Sequence, residues 1–121
     1  MKRVLLIDDD VDLLGLLKKS LEKTGYRVIA TTHCKDALTL IYQNVPEVIV
    51  LDINIGDQDG REFCKEIKSS ADLMHIPVIM ISANTALLGT YRDYGAEYAM
   101  EKPFLAAQLM EAIESHASTT S

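Results

Sequence analysis

Val4-Leu5-Leu6-Ile7-Asp8-Asp9-Asp10 sets four aliphatic residues directly against three aspartates. The apolar run is continuous rather than alternating, which is the pattern of a strand covered on both faces, as in a parallel sheet between helices. The same kind of run returns at residues 28–30, 48–51 and 78–81, with a shorter one at 97–101. Between the first two runs, Val11, Leu14, Leu17 and Leu21 recur at three- and four-residue steps, which predicts an amphipathic helix over 11–23. Asp10 and Asp12 stand where a cap and a favourable charge belong at its start. Lys18, Lys19 and Lys23 crowd its second half, and Gly25 offers a left-handed stop. Further helices are predicted at about 35–43, 59–68, 85–93 and 104–117. Pro46 and Pro77 each precede a strand and end the helical stretch before it. The sum is five βα units with short connections. Right-handed crossovers turn these into a doubly wound, five-stranded parallel sheet with five helices, a three-layer α/β/α domain over 1–117 followed by a frayed tail at 118–121.

Composition excludes several function classes. The chain has 121 residues, 12 Lys and Arg against 18 Asp and Glu, and a formal net charge of −6. Nucleic-acid affinity rests largely on cations that neutralise phosphates, so direct nucleic-acid binding is not expected. No apolar run is long enough to span a bilayer, and the start lacks the apolar stretch of a signal peptide, so a cytoplasmic location without membrane contact is expected. Cys34 and Cys64 are expected to be free and core-facing. His33, His75 and His116 are scattered and show no zinc or haem spacing.

In an open α/β sheet, ligands gather beyond the carboxyl ends of the strands, near the point where strand order reverses. The residues just past the strands are Asp8-Asp9-Asp10, Asp52, Ser82-Ala83 and Lys102-Pro103, with only Thr31-Thr32 after the second strand, as suits a margin. Clustered carboxylates either take up protons or hold a cation, and oxygen ligands of this kind favour Mg²⁺ or Mn²⁺. A lysine opposite the acids can neutralise one of them or clamp a phosphoryl oxygen. A hydroxyl at Ser82 and the backbone N–H of Ala83 suit an anion. Together these groups make a site for phosphoryl transfer to a carboxylate.

These residues resemble the receiver domain of two-component response regulators. The likeness runs through residues 4–10, Val50-Leu51-Asp52 with Asp59-Gly60, residues 77–83, Gly95-Ala96 and Lys102-Pro103-Phe104. The resemblance implies a flavodoxin-like sheet of strand order 2-1-3-4-5. It implies Asp52 as the phosphoacceptor, taking a phosphoryl group from the phosphohistidine of a sensor histidine kinase or phosphotransfer protein. Asp8, Asp9, Asp52 and the backbone carbonyl of Asn54 would hold Mg²⁺. Ser82, the Ala83 N–H and Lys102 would contact phosphoryl oxygens. Asn54 and Asn84 would tune the lifetime of the acyl phosphate, and a cis bond before Pro103 would aim Lys102. It further implies a downstream output protein, a monomer or phosphorylation-dependent dimer, and no turnover of an external substrate. The protein would be a single-domain regulator or a receiver excised from a larger chain.

Two positions depart from the family pattern. Ile55-Gly56 stands where Met-Pro is common, which would free the loop near the metal. Ala99 stands where a Tyr or Phe ring usually changes places with the hydroxyl residue. Tyr98 is adjacent, and strand alternation points it to the opposite face. Ring switching is therefore expected to be absent, with only weak coupling to the face formed by the fourth helix, fifth strand and fifth helix. Among other readings, an EF-hand starting at Asp52 fails, since Asp57 and Phe63 occupy the places of its Gly and Glu. An FMN site would face phosphate with three aspartates. The alternative that shares the chemistry is an aspartyl-phosphate-forming phosphatase of the haloacid-dehalogenase type, which wants an acid where Asn54 stands. A receiver that binds partners without being phosphorylated is a further variant of the first reading.

Overall fold

The computed structural model describes residues 2–117; the tail expected at 118–121 lies outside the described residues. In chain order the main elements are β1 (Arg3–Ile7), α1 (Val11–Lys23), β2 (Arg27–Thr31), α2 (Cys34–Asn44), β3 (Val48–Asp52), α3 (Gly60–Ser69), β4 (Val78–Ser82), α4 (Thr85–Leu88), β5 (Tyr98–Glu101) and α5 (Ala106–His116). The five strands form one parallel sheet in the order β2-β1-β3-β4-β5. After β2 the chain crosses back over β1, so the order reverses between β1 and β3. That is where the sheet's carboxyl edge opens a crevice.

Alternation along each strand sends side chains to two separate cores. Val4, Leu6, Val50, Ile79 and Ile81 pack under Leu14, Leu17 and Leu21 of α1 and Leu109 and Ile113 of α5. Leu5, Ile7, Ile49, Leu51 and Met80 pack under Ala37 and Ile41 of α2, Phe63, Cys64 and Ile67 of α3 and Leu88 of α4. The apolar runs are continuous because both faces are covered. β1, β3 and β4 show almost no exposed side chain, whereas β2 and β5 at the margins are partly open. Both cysteines are free and buried, as expected.

Two local features differ from the reading of the sequence. The helix predicted over 85–93 is a single turn, Thr85–Leu88, followed by a separate 3-10 turn at Tyr91–Tyr94. The Thr90 hydroxyl donates to the Leu87 carbonyl at 2.6 Å and its N–H to the same oxygen at 3.1 Å, so the α-helical ladder stops there. Secondly, Asn54–Ile55 pairs antiparallel with Gln58–Asp59 in a tiny ribbon between β3 and α3. Gly56 makes its turn in the left-handed region, at φ 59°.

Candidate functional site

Three acids meet at the crevice. Asp8 follows β1, Asp52 closes the neighbouring β3, and one carboxylate oxygen from each of Asp8, Asp9 and Asp52 lies within 4.8 Å of the others. Asp8 and Asp52 are buried, at 1% and 3% exposure, while Asp9 faces solvent. Each accepts from a backbone N–H, for Asp8 and Asp52 that of the residue two positions on and for Asp9 that of the distant Gly56. The Asp10 N–H donates to Asp8 Oδ1 at 2.9 Å, and Asp10 itself caps α1 by accepting from the Leu13 N–H at 3.1 Å. The Asn54 N–H donates to Asp52 Oδ1 at 3.1 Å, and the Gly56 N–H to Asp9 Oδ2 at 3.1 Å.

Lys102 enters from the far end of β5. Its Nζ lies 2.7 Å from Asp8 Oδ2 and 3.1 Å from Asp52 Oδ2. Its backbone N–H donates to the Ser82 carbonyl at 2.9 Å, and the Lys102–Pro103 peptide is cis. Burial pushes the Asp52 carboxyl up from 3.8 to about 6, and the charge of Asp8 adds to the rise. The Asn54 N–H and the Lys102 ammonium pull the other way and only partly offset it. Burial pulls Lys102 down, but its close contacts with the carboxylates of Asp8 and Asp52 outweigh that and leave its pKa raised.

With all three acids ionised, one ammonium leaves the cluster two negative charges in excess. Asp8 Oδ2 is buried and its contact with Lys102 is ionic, without hydrogen-bond geometry. An oxygen-only donor set, a spare buried lone pair and an excess of two charges fit a hard divalent cation such as Mg²⁺.

Ser82 ends β4 beside this cluster and is fully buried. Its Oγ accepts from the Asn84 N–H at 3.0 Å, and the Asn84 side chain caps α4 by accepting from the Leu87 N–H at 3.1 Å. Ala83 and Asn84 are exposed just past it, and Asn54 is exposed on the opposite rim. The structure thus brings Asp8, Asp9, Asp52 and Lys102 into one contact network and sets Ser82 on the adjoining strand end. Reading the sequence residue by residue missed the Gly56 N–H as a partner of Asp9. The signal was present, since Gly56-Asp57 is a dipeptide of the kind that makes a two-residue hairpin turn.

A family model for the response regulator receiver domain matches residues 4–114. The chain belongs to this family. The receiver domain of NtrX from Brucella abortus is 30% identical, with 93% of this chain and 96% of that one covered and a TM-score of 0.85. The longer NtrX structure from the same organism is 29% identical, and the match takes 95% of this chain but 26% of that one, with a TM-score of 0.86. The chemotaxis protein CheY4 of Vibrio cholerae shares the fold at 24% identity and a TM-score of 0.88, over 96% of this chain and 98% of that one. Receiver domains of this kind serve two-component signalling, and no helix among the described residues is long and apolar enough to cross a membrane.

Within the receiver frame, the two departures have structural consequences. Ala99 is half-buried against the core shared by α2, α3 and α4. Tyr98 points the other way and stacks on His116 of α5, ring centroids 4.7 Å apart. It cannot stand in for a ring at position 99. Gly56 makes a left-handed turn, and its N–H binds Asp9.

Proposed function

We propose that this receiver, spanning residues 1–117, accepts a phosphoryl group on Asp52 from the phosphohistidine of a sensor histidine kinase or phosphotransfer protein, and that the acyl phosphate alters binding to an output protein. The observation that carries the reading is the meeting of Asp8, Asp9 and Asp52 within 4.8 Å, with Lys102 on two of them. Asp8, Asp9, Asp52 and the Asn54 carbonyl are the residues that would hold Mg²⁺. When bound, the ion supplies positive charge against both the acids and the phosphoryl oxygens.

The chain's own residues divide the remaining work. The ionised Asp52 carboxylate attacks phosphorus, the donor's N–P bond breaks as the new O–P bond forms, and the leaving imidazole takes its proton from water. Lys102 sits at hydrogen-bonding distance of Asp52 and follows the phosphoryl oxygens as charge moves onto them. The Ser82 hydroxyl exchanges its bond with the Asn84 N–H for one to a phosphoryl oxygen, beside the Ala83 N–H. Water later cleaves the acyl phosphate to inorganic phosphate and free Asp52. Asn54 and Asn84, amides on opposite rims, orient that water and set the lifetime. Phosphorylation adds roughly −1.5 to −2 charges with new acceptor oxygens, which pulls Ser82 and the α4 turn toward the site. An amide at position 54 leaves the phosphatase alternative without a leaving-group acid, so no external substrate is turned over.

Incubation with a small acyl phosphate and Mg²⁺ tests this. Intact-mass measurement should show one phosphoryl group on the wild type and none on Asp52→Asn. Equal labelling of the variant would overturn the acceptor assignment.

A further inference from the structure

Arg61, in the first turn of α3, has partners on two separate segments of the chain, and the proposed reaction does not use it. Its side chain is 16% exposed, so it is not a solvated surface arginine. The guanidinium grips Asp59 with both prongs. Nε lies 3.1 and 3.2 Å from the two carboxylate oxygens, the Nη2 to Oδ2 distance is 2.8 Å, and the Arg61 backbone N–H adds a further bond at 2.9 Å. The other side of the group reaches across to the segment after α4. Nη1 donates to Thr90 Oγ1 at 3.2 Å, and the guanidinium carbon lies 5.0 Å above the Tyr94 ring.

What Arg61 grips on each side decides its meaning. Asp59 is paired with Asn54 across the ribbon, and Ile55 with Gln58. The ribbon's N–H groups at Asn54 and Gly56 are those that hold Asp52 and Asp9. Its end is fixed against the sheet. Gly60 donates to the Ile53 carbonyl at 2.6 Å, and a Cβ at Gly60 would run into the Asp52 carbonyl oxygen. Displacing the Asp52 or Asp9 carboxylate therefore moves the ribbon, and the ribbon carries Asp59. On the other side, Thr90 and Tyr94 bracket the 3-10 turn that leads into β5. This is the place where α4 breaks off short.

We infer that Arg61 is a positioning residue that ties the carboxylate-holding ribbon to residues 90–94, carrying the state of the acidic site to that segment where Ala99 provides no ring to do so. The inference rests on the proposed phosphoacceptor role for its purpose, and on the Asp59–Arg61–Thr90/Tyr94 contacts for its route. The response is accordingly concentrated at residues 90–94 and small along α5.

The test compares backbone amide signals in wild type, Arg61→Ala and Arg61→Lys under two perturbations. The first is a small acyl phosphate with Mg²⁺, with labelling followed by intact mass. The second is the Asp9→Ala substitution, which removes the acceptor of the Gly56 N–H and needs neither metal nor phosphate. The amide shifts at residues 90–94 should fall at least threefold in Arg61→Ala under both perturbations, while signals at Asn54 and Gly56 still respond. Lysine, lacking the fork, should recover less than half of the effect. Full-sized shifts at residues 90–94 without Arg61 would overturn the inference. Absence of label on the wild type would instead overturn the phosphoacceptor reading, and the Asp9→Ala comparison would still decide the role of Arg61.

Discussion

Removing the charge of Asp52 should stabilise the metal-free protein at neutral pH, even though it deletes half of an ion pair. Burial and Asp8 raise the Asp52 carboxyl from 3.8 to about 6. A group whose pKa is higher in the folded than in the unfolded state contributes stability that is complete below the unfolded value. That contribution is lost as pH climbs through the folded value. Here the window runs from about 3.8 to about 6. The full difference is about 3 kcal/mol, at about 1.4 kcal/mol per decade of proton affinity. Between pH 4.5 and 7.5 the share lost is about 2 kcal/mol. Asp52→Asn keeps an oxygen for the Asn54 N–H but does not titrate. Urea unfolding in a chelator should therefore show the wild type losing about 2 kcal/mol relative to Asp52→Asn over that pH range. Excess Mg²⁺ should narrow the gap at pH 7.5 by binding the folded wild type. A gap that stays constant with pH, or one that widens in favour of the wild type as pH rises, would refute the reasoning.

Two further outcomes follow from the same geometry. Lys102→Met leaves Asp8 and Asp52 without their shared cation, which should cost about 3 kcal/mol at pH 7.5 without metal and much less at pH 4.5, measured by the same unfolding series. Gly60→Ala places a methyl group against the Asp52 carbonyl oxygen, so the junction of β3 and α3 must shift; thermal unfolding should show a loss above about 2 kcal/mol, with acyl phosphate labelling slowed in parallel.

Much of this molecule is legible in its sequence because its signals are local and repeated. Residues 4–10 announce a doubly covered strand ending in acids, and α1 spans Val11–Lys23 as its three- and four-residue rhythm predicts. Asp8, Asp9, Asp52 and Lys102 could be assembled because each lies at or just past the end of a strand, and a parallel sheet brings all strand ends to one edge. The features that escaped are those decided by one or two residues. Apolar Leu87, Leu88 and Tyr91 carry a helical pattern up to and beyond Thr90, but the Thr90 hydroxyl competes for the helix's own carbonyl and stops the ladder. The ribbon is two residues long on each side, too short for periodicity, and rests on the left-handed turn at Gly56. Arg61 belongs to no motif in the sequence, since its partners at Thr90 and Tyr94 are adjacent only after folding.

The central claim is that one hollow at the ends of β1 and β3 takes both a divalent ion and a phosphoryl group. A crystal structure of the protein with Mg²⁺ and beryllofluoride, a tetrahedral stand-in for a phosphoryl group, measures this directly. The account predicts beryllium bonded to a carboxylate oxygen of Asp52, the ion on Asp8 and Asp9, and Lys102 Nζ and Ser82 Oγ turned to the fluorines. Beryllofluoride on any other carboxylate, or Mg²⁺ away from Asp8 and Asp9, would contradict it.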